Sequence, residues 1–162
     1  MNNKNLENLA SHCGLFCGAC RSYLLEKKDL FKEKGYKRGC KGCIIQNKNC
    51  AFIKRDCPQL RKKEIRFCFE CKNFPCSRLK RIEEMYMTKY NVSAIGNLKR
   101  IKNIGLSEWL EEQIKLYTCS KCGGEICVHE AECFDCGEKI IQRKNKEVIK
   151  NGQSKNRRSK TP

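Results

Sequence analysis

The chain contains no apolar run near the roughly 18 residues that a membrane-spanning helix needs; its apolar runs are as short as Cys50-Ala51-Phe52-Ile53. The stretch Met1 to Ala10 lacks the apolar core of a secretory signal. The expectation is therefore a cytoplasmic protein with no membrane contact, in a compartment that keeps thiols reduced. Histidine is scarce, with His12 and His129 the only two, and neither sits in a recognisable catalytic pattern. A hydrolytic enzyme is disfavoured on that ground. There is no glycine-rich phosphate loop, so a nucleotide or flavin site is not supplied either. One tryptophan, three prolines and 8% aromatic residues complete the shortages. Cysteine apart, the apolar supply is thin for 162 residues, and small domains short of core are usually held by disulfides or by metal.

What is abundant is cysteine and positive charge. Fifteen cysteines, an odd number, cannot all pair within one chain, and a reducing compartment opposes disulfides. Metal ligation is the better reading. Lys and Arg total 35 against 18 Asp and Glu, a formal net charge of +17. Metal-bound thiolates lower this figure: a zinc ion with four thiolates carries a net charge of about −2, so three such sites leave roughly +11.

The cysteines form two groups, ten from Cys13 to Cys76 and five from Cys119 to Cys136. Between them the apolar residues repeat at helical spacing. Leu79, Ile82, Met85, Tyr86 and Tyr90 follow Ser77 as N-cap. Ile95, Leu98, Ile101 and Ile104 follow Ser93 and stop at Gly105. Leu110, Ile114 and Tyr117 follow Ser107, with Glu108, Glu111 and Glu112 favouring the N-terminal end of that helix. An earlier helix is expected from about Arg21 to Lys34, ending at Gly35. From Lys139 to Pro162 there are nine basic residues and one acid, and the apolar pattern fails, as in a solvated tail.

The most specific motif is Cys119-Ser-Lys-Cys122-Gly-Gly followed by Cys133-Phe-Asp-Cys136-Gly-Glu. Two intervening residues let each turn curl until both sulfurs reach one ion, and the following glycine suits the positive φ of such a turn. Two turns give four thiolates in a tetrahedron, the donor set of structural zinc, although rubredoxin-type iron uses similar turns. Glu125 to His129 alternates like a short strand between them. Cys127 reads as a small buried residue and His129 as a surface one. A zinc-deaminase reading fails, because no His-x-Glu or Pro-Cys-x-x-Cys occurs here.

In the first group Cys13, Cys17 and Cys20 precede Cys40 with Cys43, then Cys50 with Cys57, then Cys68, Cys71 and Cys76. Two four-thiolate sites would use eight of the ten, and counting does not separate zinc from an iron–sulfur cluster. The spacing of Cys13, Cys17 and Cys20 imitates a radical-SAM motif, but the chain is too short for that barrel. No run matches the bacterial ferredoxin pattern. The stretches His12-Cys13-Gly14-Leu15-Phe16-Cys17-Gly18-Ala19-Cys20 and Cys68-Phe69-Glu70-Cys71-Lys72-Asn73-Phe74-Pro75-Cys76, with Gly39-Cys40-Lys41-Gly42-Cys43 and Cys57 between them, resemble the prokaryotic cysteine-rich family known as domain of unknown function 3795. The resemblance covers roughly residues 11 to 80. It implies a metal-binding cysteine module and no particular activity.

The expectation is a small metal-stabilised α+β fold. It comprises a cysteine-rich N-terminal module (11–76), a helical segment (77–118), a zinc-ribbon-like module (119–141) and a disordered basic tail (142–162). The expected function is metal binding, with zinc favoured, by a module that presents its surface to nucleic acid or a protein partner. The basic candidates for nucleic acid are Lys37, Arg38, Lys41, Lys54, Arg55, Arg157 and Arg158, interleaved with Phe31, Tyr36 and Phe52. The alternative is an iron–sulfur redox or electron-transfer protein.

Overall fold

The structure is a computed structural model that describes residues 3–46 and 52–140. Cys50, Arg157, Arg158 and the tail at 142–162 lie outside the described residues. The described chain is helix-rich. Its elements are α1 (Asn3–Glu7), α2 (Arg21–Lys27), α3 (Phe52–Asp56), α4 (Pro58–Arg61), α5 (Ser77–Tyr90), α6 (Ala94–Ile104) and α7 (Leu106–Leu116). The short strands β1 (Ile126–Cys127) and β2 (Glu132–Cys133) pair antiparallel, with Ile126 opposite Cys133.

The three apolar stripes form α5, α6 and α7. The middle one starts as its sequence indicates: Gly96 N–H donates to the Ser93 hydroxyl at 2.8 Å, which satisfies one of the free amides of the first turn. That hydroxyl in turn donates to Glu83 at 2.6 Å, and Ile95 N–H donates to the same carboxylate at 2.8 Å, so the cap is tied to α5. The other two starts differ from expectation. Cys76 precedes α5, leaving Ser77 as its first residue, and Gly105, not Ser107, precedes α7. The buried face of α7 is Trp109, Leu110 and Gln113, while Ile114 is exposed. Phe16 decides this face. Its ring meets Trp109 edge-on at 6.2 Å and stacks on Tyr117 at 5.9 Å.

One apolar core takes residues from both the first cysteine group and these helices. Leu15, Ile53, Leu60 and Phe67 pack with Leu79, Ile82, Leu98 and Trp109. The loop at Gly14 enters it closely. Gly14 has φ +84°, and a Cβ there would lie 2.5 Å from the Ala94 carbonyl oxygen, so the close approach requires glycine. Asn97 fastens the same loop by donating to the Gly14 carbonyl at 2.8 Å.

The expected helix from Arg21 to Lys34 is instead a short one that ends at Lys27. Asp29 takes the left-handed conformation at φ +53°, and turns follow to Gly35. The break redirects Lys28 and Lys34 towards the C-terminal element. Lys28 Nζ lies 2.6 Å from Asp135 and 3.1 Å from Glu125, and Lys34 Nζ lies 3.7 Å from Glu132 and 4.0 Å from Glu130. Lys27 also pairs with Glu125, Arg21 with Glu130 at 3.7 Å, and Lys34 Nζ sits 4.4 Å from the Phe134 ring centre. The C-terminal element therefore docks on α2 along a seam of ion pairs.

Candidate metal centre

In the C-terminal element the two Cys-x-x-Cys turns close as tight loops. Gly123 N–H donates to the Cys119 carbonyl at 2.8 Å and Gly137 N–H to the Cys133 carbonyl at 3.0 Å. Gly123 and Gly137 have φ values of +74° and +71°. The short β1–β2 pairing then brings the turns face to face. The sulfurs of Cys119, Cys122, Cys133 and Cys136 all lie within 4.8 Å of one another. Cys122 and Cys133 are 3.6 Å apart, and Cys119 and Cys136 3.9 Å. These four could hold a metal ion. Among the described residues, no other three cysteine, histidine or carboxylate side chains bring their ligand atoms as close.

Cys119 and Cys133 are buried, whereas Cys122 and Cys136 are exposed. The sulfur set divides its protons unequally. The backbone N–H groups of Cys122 and Lys121 bring the Cys119 thiol down to about 7. The Gly124 N–H favours the Cys122 thiolate, but the Cys136, Cys133 and Cys119 sulfurs and desolvation push it up to about 12. Cys119 is thus the sulfur of the four that its surroundings favour most as a thiolate.

The expected strand over Glu125–His129 forms only at Ile126–Cys127, and both residues are buried instead of alternating. Cys127 is fully buried and its thiol is pushed up to about 11, mainly by burial. Val128 N–H donates to the Ala19 carbonyl at 2.9 Å, which carries the chain across the first cysteine loop. His129 is consequently half-buried, and the surface position expected for it is corrected. Its Nδ1 accepts from Arg21 N–H at 3.2 Å, and its Nε2 lies 3.3 Å from the Tyr86 hydroxyl. Burial, reinforced by Arg21, brings its pKa down to about 4, so the ring is neutral at neutral pH with its proton on Nε2.

The first cysteine group divides in space. Cys17, Cys20, Cys40 and Cys43 line one cavity of about 110 Å³, walled also by Tyr86 and His129. Cys57, Cys68, Cys71 and Cys76 line a second, of about 30 Å³. Burial raises the Cys68 thiol, and nearby Cys13, Cys76, Cys57 and Cys71 raise it further, so Cys13 belongs beside this second set. The Cys13 sulfur is 3.2 Å from the Ser11 hydroxyl. His12 serves the same region: its carbonyl accepts from Cys68 N–H at 2.9 Å and its Nδ1 donates to the Arg66 carbonyl at 2.5 Å. Each set includes a 3₁₀ turn, Cys17–Ala19 and Cys68–Glu70, which closes Cys20 N–H onto the Cys17 carbonyl and Cys71 N–H onto the Cys68 carbonyl.

The basic candidates are scattered differently. Lys37, Arg38 and Lys41 are exposed on the segment after the α2 turns, beside exposed Tyr36. Arg55 is engaged by its neighbour Asp56 at 2.7 Å, and Lys54 Nζ lies 3.4 Å from the Ile44 carbonyl.

Residues 9–81 match the family model described as "Protein of unknown function (DUF3795)". That stretch contains both N-terminal cysteine sets, while the C-terminal four lie beyond it. No curated protein and no solved structure matches the chain.

Proposed function

We propose that this protein is a non-catalytic metal-binding protein in which Cys119, Cys122, Cys133 and Cys136 form a closed structural zinc site. The single observation that carries this is the mutual approach of the four sulfurs within 4.8 Å, the compactness that a tetrahedral ion with metal–sulfur distances of about 2.3 Å requires. Four protein thiolates leave no open position for substrate, so the ion fixes the element as a zinc-ribbon-like unit. The ion-pair seam and the Val128–Ala19 hydrogen bond then hold that unit against the first cysteine group, and the assembly presents a surface to a partner. Metal analysis of the purified chain tests the reading. Zinc is expected, and cobalt substituted for it should give the intense visible bands of a tetrahedral thiolate site. Loss of those bands is expected in Cys122→Ser and Cys136→Ser. Wild-type cobalt spectra without tetrahedral thiolate bands would refute the site.

A second reading, nucleic-acid binding, is supported by one surface. Several basic residues of the Arg21–Lys63 stretch face acids of the C-terminal element, whereas Lys37, Arg38 and Lys41 are exposed beside Tyr36. A salt titration of binding to generic DNA and RNA, with Lys37, Arg38 and Lys41 changed to Ala, tests it. Steep salt dependence that flattens in the variant supports it; equal binding by both proteins removes this surface.

A further inference from the structure

We propose that the cavity walled by Cys17, Cys20, Cys40, Cys43 and His129 is the seat of an iron–sulfur cluster held by those four cysteine thiolates and roofed by the C-terminal element. The proposal rests on the reading above that the cysteine groups ligate metal, and it adds which four act together and which class of cofactor they take.

Size is the first argument. A single water needs roughly 10–15 Å³ of such space, so a cavity of about 110 Å³ has room for a group of several atoms. The same measure gives only about 30 Å³ beside Cys57, Cys68, Cys71 and Cys76. The donor set is the second argument. Cys17, Cys20, Cys40 and Cys43 line this one cavity, and four cysteines are the donor set of the common iron–sulfur clusters.

The surroundings suit an anionic cluster. Cys43 N–H donates to the Cys17 sulfur at 3.3 Å, the kind of amide-to-sulfur bond that stabilises thiolate ligation and tunes potential. Cys40 N–H donates to the Ser22 carbonyl at 2.9 Å, which ties the second pair of ligands to α2. Gly42, at φ +98°, allows the chain to turn between Cys40 and Cys43 close to the Cys17 side chain. Arg21 stands at the wall with its charge partly offset by Glu130 at 3.7 Å. Neutral His129, held between Arg21 N–H and the Tyr86 hydroxyl, contributes a wall from the C-terminal element, so the docked element limits water at the cluster.

The test is anaerobic reconstitution of the full chain with ferrous iron, sulfide and zinc, followed by assay of zinc, iron and acid-labile sulfide per chain. Equal iron and sulfide, at two or more each, with broad visible absorption and retained zinc, is the expected result. Cys17→Ser and Cys43→Ser should lose iron and sulfide and keep zinc. Because such variants could misfold, the wild-type assignment is made separately. The cluster is released oxidatively with an iron chelator, and newly exposed thiols are alkylated and mapped by mass spectrometry. Labelling of Cys17, Cys20, Cys40 and Cys43, with the Cys119 set still protected, supports the proposal. Labelling of Cys57, Cys68, Cys71 and Cys76 instead overturns it. Zinc without iron or sulfide overturns it while leaving the C-terminal zinc reading intact, and a chain that binds no metal overturns both.

Discussion

Changing Cys136 to Ser should unfold the C-terminal element and leave the helical core in place. Cys136 is exposed, and serine is nearly its isostere, so the change removes a ligand and almost no packing. Apparent binding energies of structural zinc are about 10–16 kcal/mol, and a quarter of that per ligand is about 2.5–4 kcal/mol. What else holds the element is small. Its own buried cluster is Cys119, Ile126 and Cys133, and the ion pairs to α2 are mostly solvent-accessible, worth about 0.2–1 kcal/mol each. The amides to watch are Ile126, Val128, Phe134 and Ile140. They donate to the carbonyls of Tyr117, Ala19, Glu125 and Ala131 at 2.9, 2.9, 2.8 and 2.8 Å. Hydrogen exchange of the zinc-loaded chain under reducing conditions should show these amides exchanging about two to three orders of magnitude faster in the variant, since each 1.4 kcal/mol is tenfold. The fluorescence of Trp109, the single tryptophan, fully buried in the other core, should not change. Retained protection at those four amides would refute ligation as the support of the element. A simultaneous loss of the Trp109 signal would refute its independence from the helices.

His129 is half-buried with its pKa brought down to about 4, below its ordinary value, so its contribution to stability is present above about pH 6.5 and is lost as pH falls through 4. The full effect is about 3 kcal/mol, and urea midpoints at pH 7 and pH 4.5 should diverge more in wild type than in His129→Gln; equal differences would refute the burial. Gly14→Ala places a Cβ 2.5 Å from the Ala94 carbonyl oxygen at φ +84° and should cost more than about 1 kcal/mol in denaturant titration; an unchanged midpoint would show that the loop does not enter the core as closely as described. Leu98→Ala, at a fully buried site, should cost about 2–5 kcal/mol by thermal or urea unfolding. Lys28→Met, which removes a cation from both Asp135 and Glu125, should loosen the docked element by about 1 kcal/mol, read as faster exchange at Val128 alone among the amides of α2 and its partner.

Local patterns in the sequence translated into structure where their causes are local. The paired Cys-x-x-Cys-Gly turns, joined by the short β1–β2 pairing within the same element, bring four sulfurs together, and Ser93 caps α6 as its position suggests. The stripes of α5 and α6 place Leu79, Ile82, Leu98 and Ile101 in the core. Features set by distant contacts were not legible. The face of α7 turns on Phe16, ninety-odd residues earlier, which draws Trp109 inward and leaves Ile114 out. The helix after Cys20 stops at Lys27 because the residues beyond it face the C-terminal element, which no local periodicity records. Division of the described cysteines of the first group required the fold as well. Cys40 and Cys43 lie nearer in sequence to Cys57 than to Cys17, yet the Cys40–Ser22 and Cys43–Cys17 hydrogen bonds return that loop to α2 and the first cysteines.

The positive charge acquires a different meaning once the chain is folded. In the sequence, the basic excess between Arg21 and Lys63 suggests attraction to a polyanion. In the fold, Arg21, Lys27, Lys28 and Lys34 stand opposite Glu125, Glu130, Glu132 and Asp135 of an element a hundred residues later. That element is also where four thiolates around a divalent ion would leave a net charge of about −2. The same cations therefore complement the carboxylates of that element. Loss of the ion would remove the folded turns that place those carboxylates, release the lysines to solvent, and uncover the His129 wall of the cavity at Cys17. On this reasoning ligation at the C-terminus and closure over the first cysteine set are linked through one electrostatic seam.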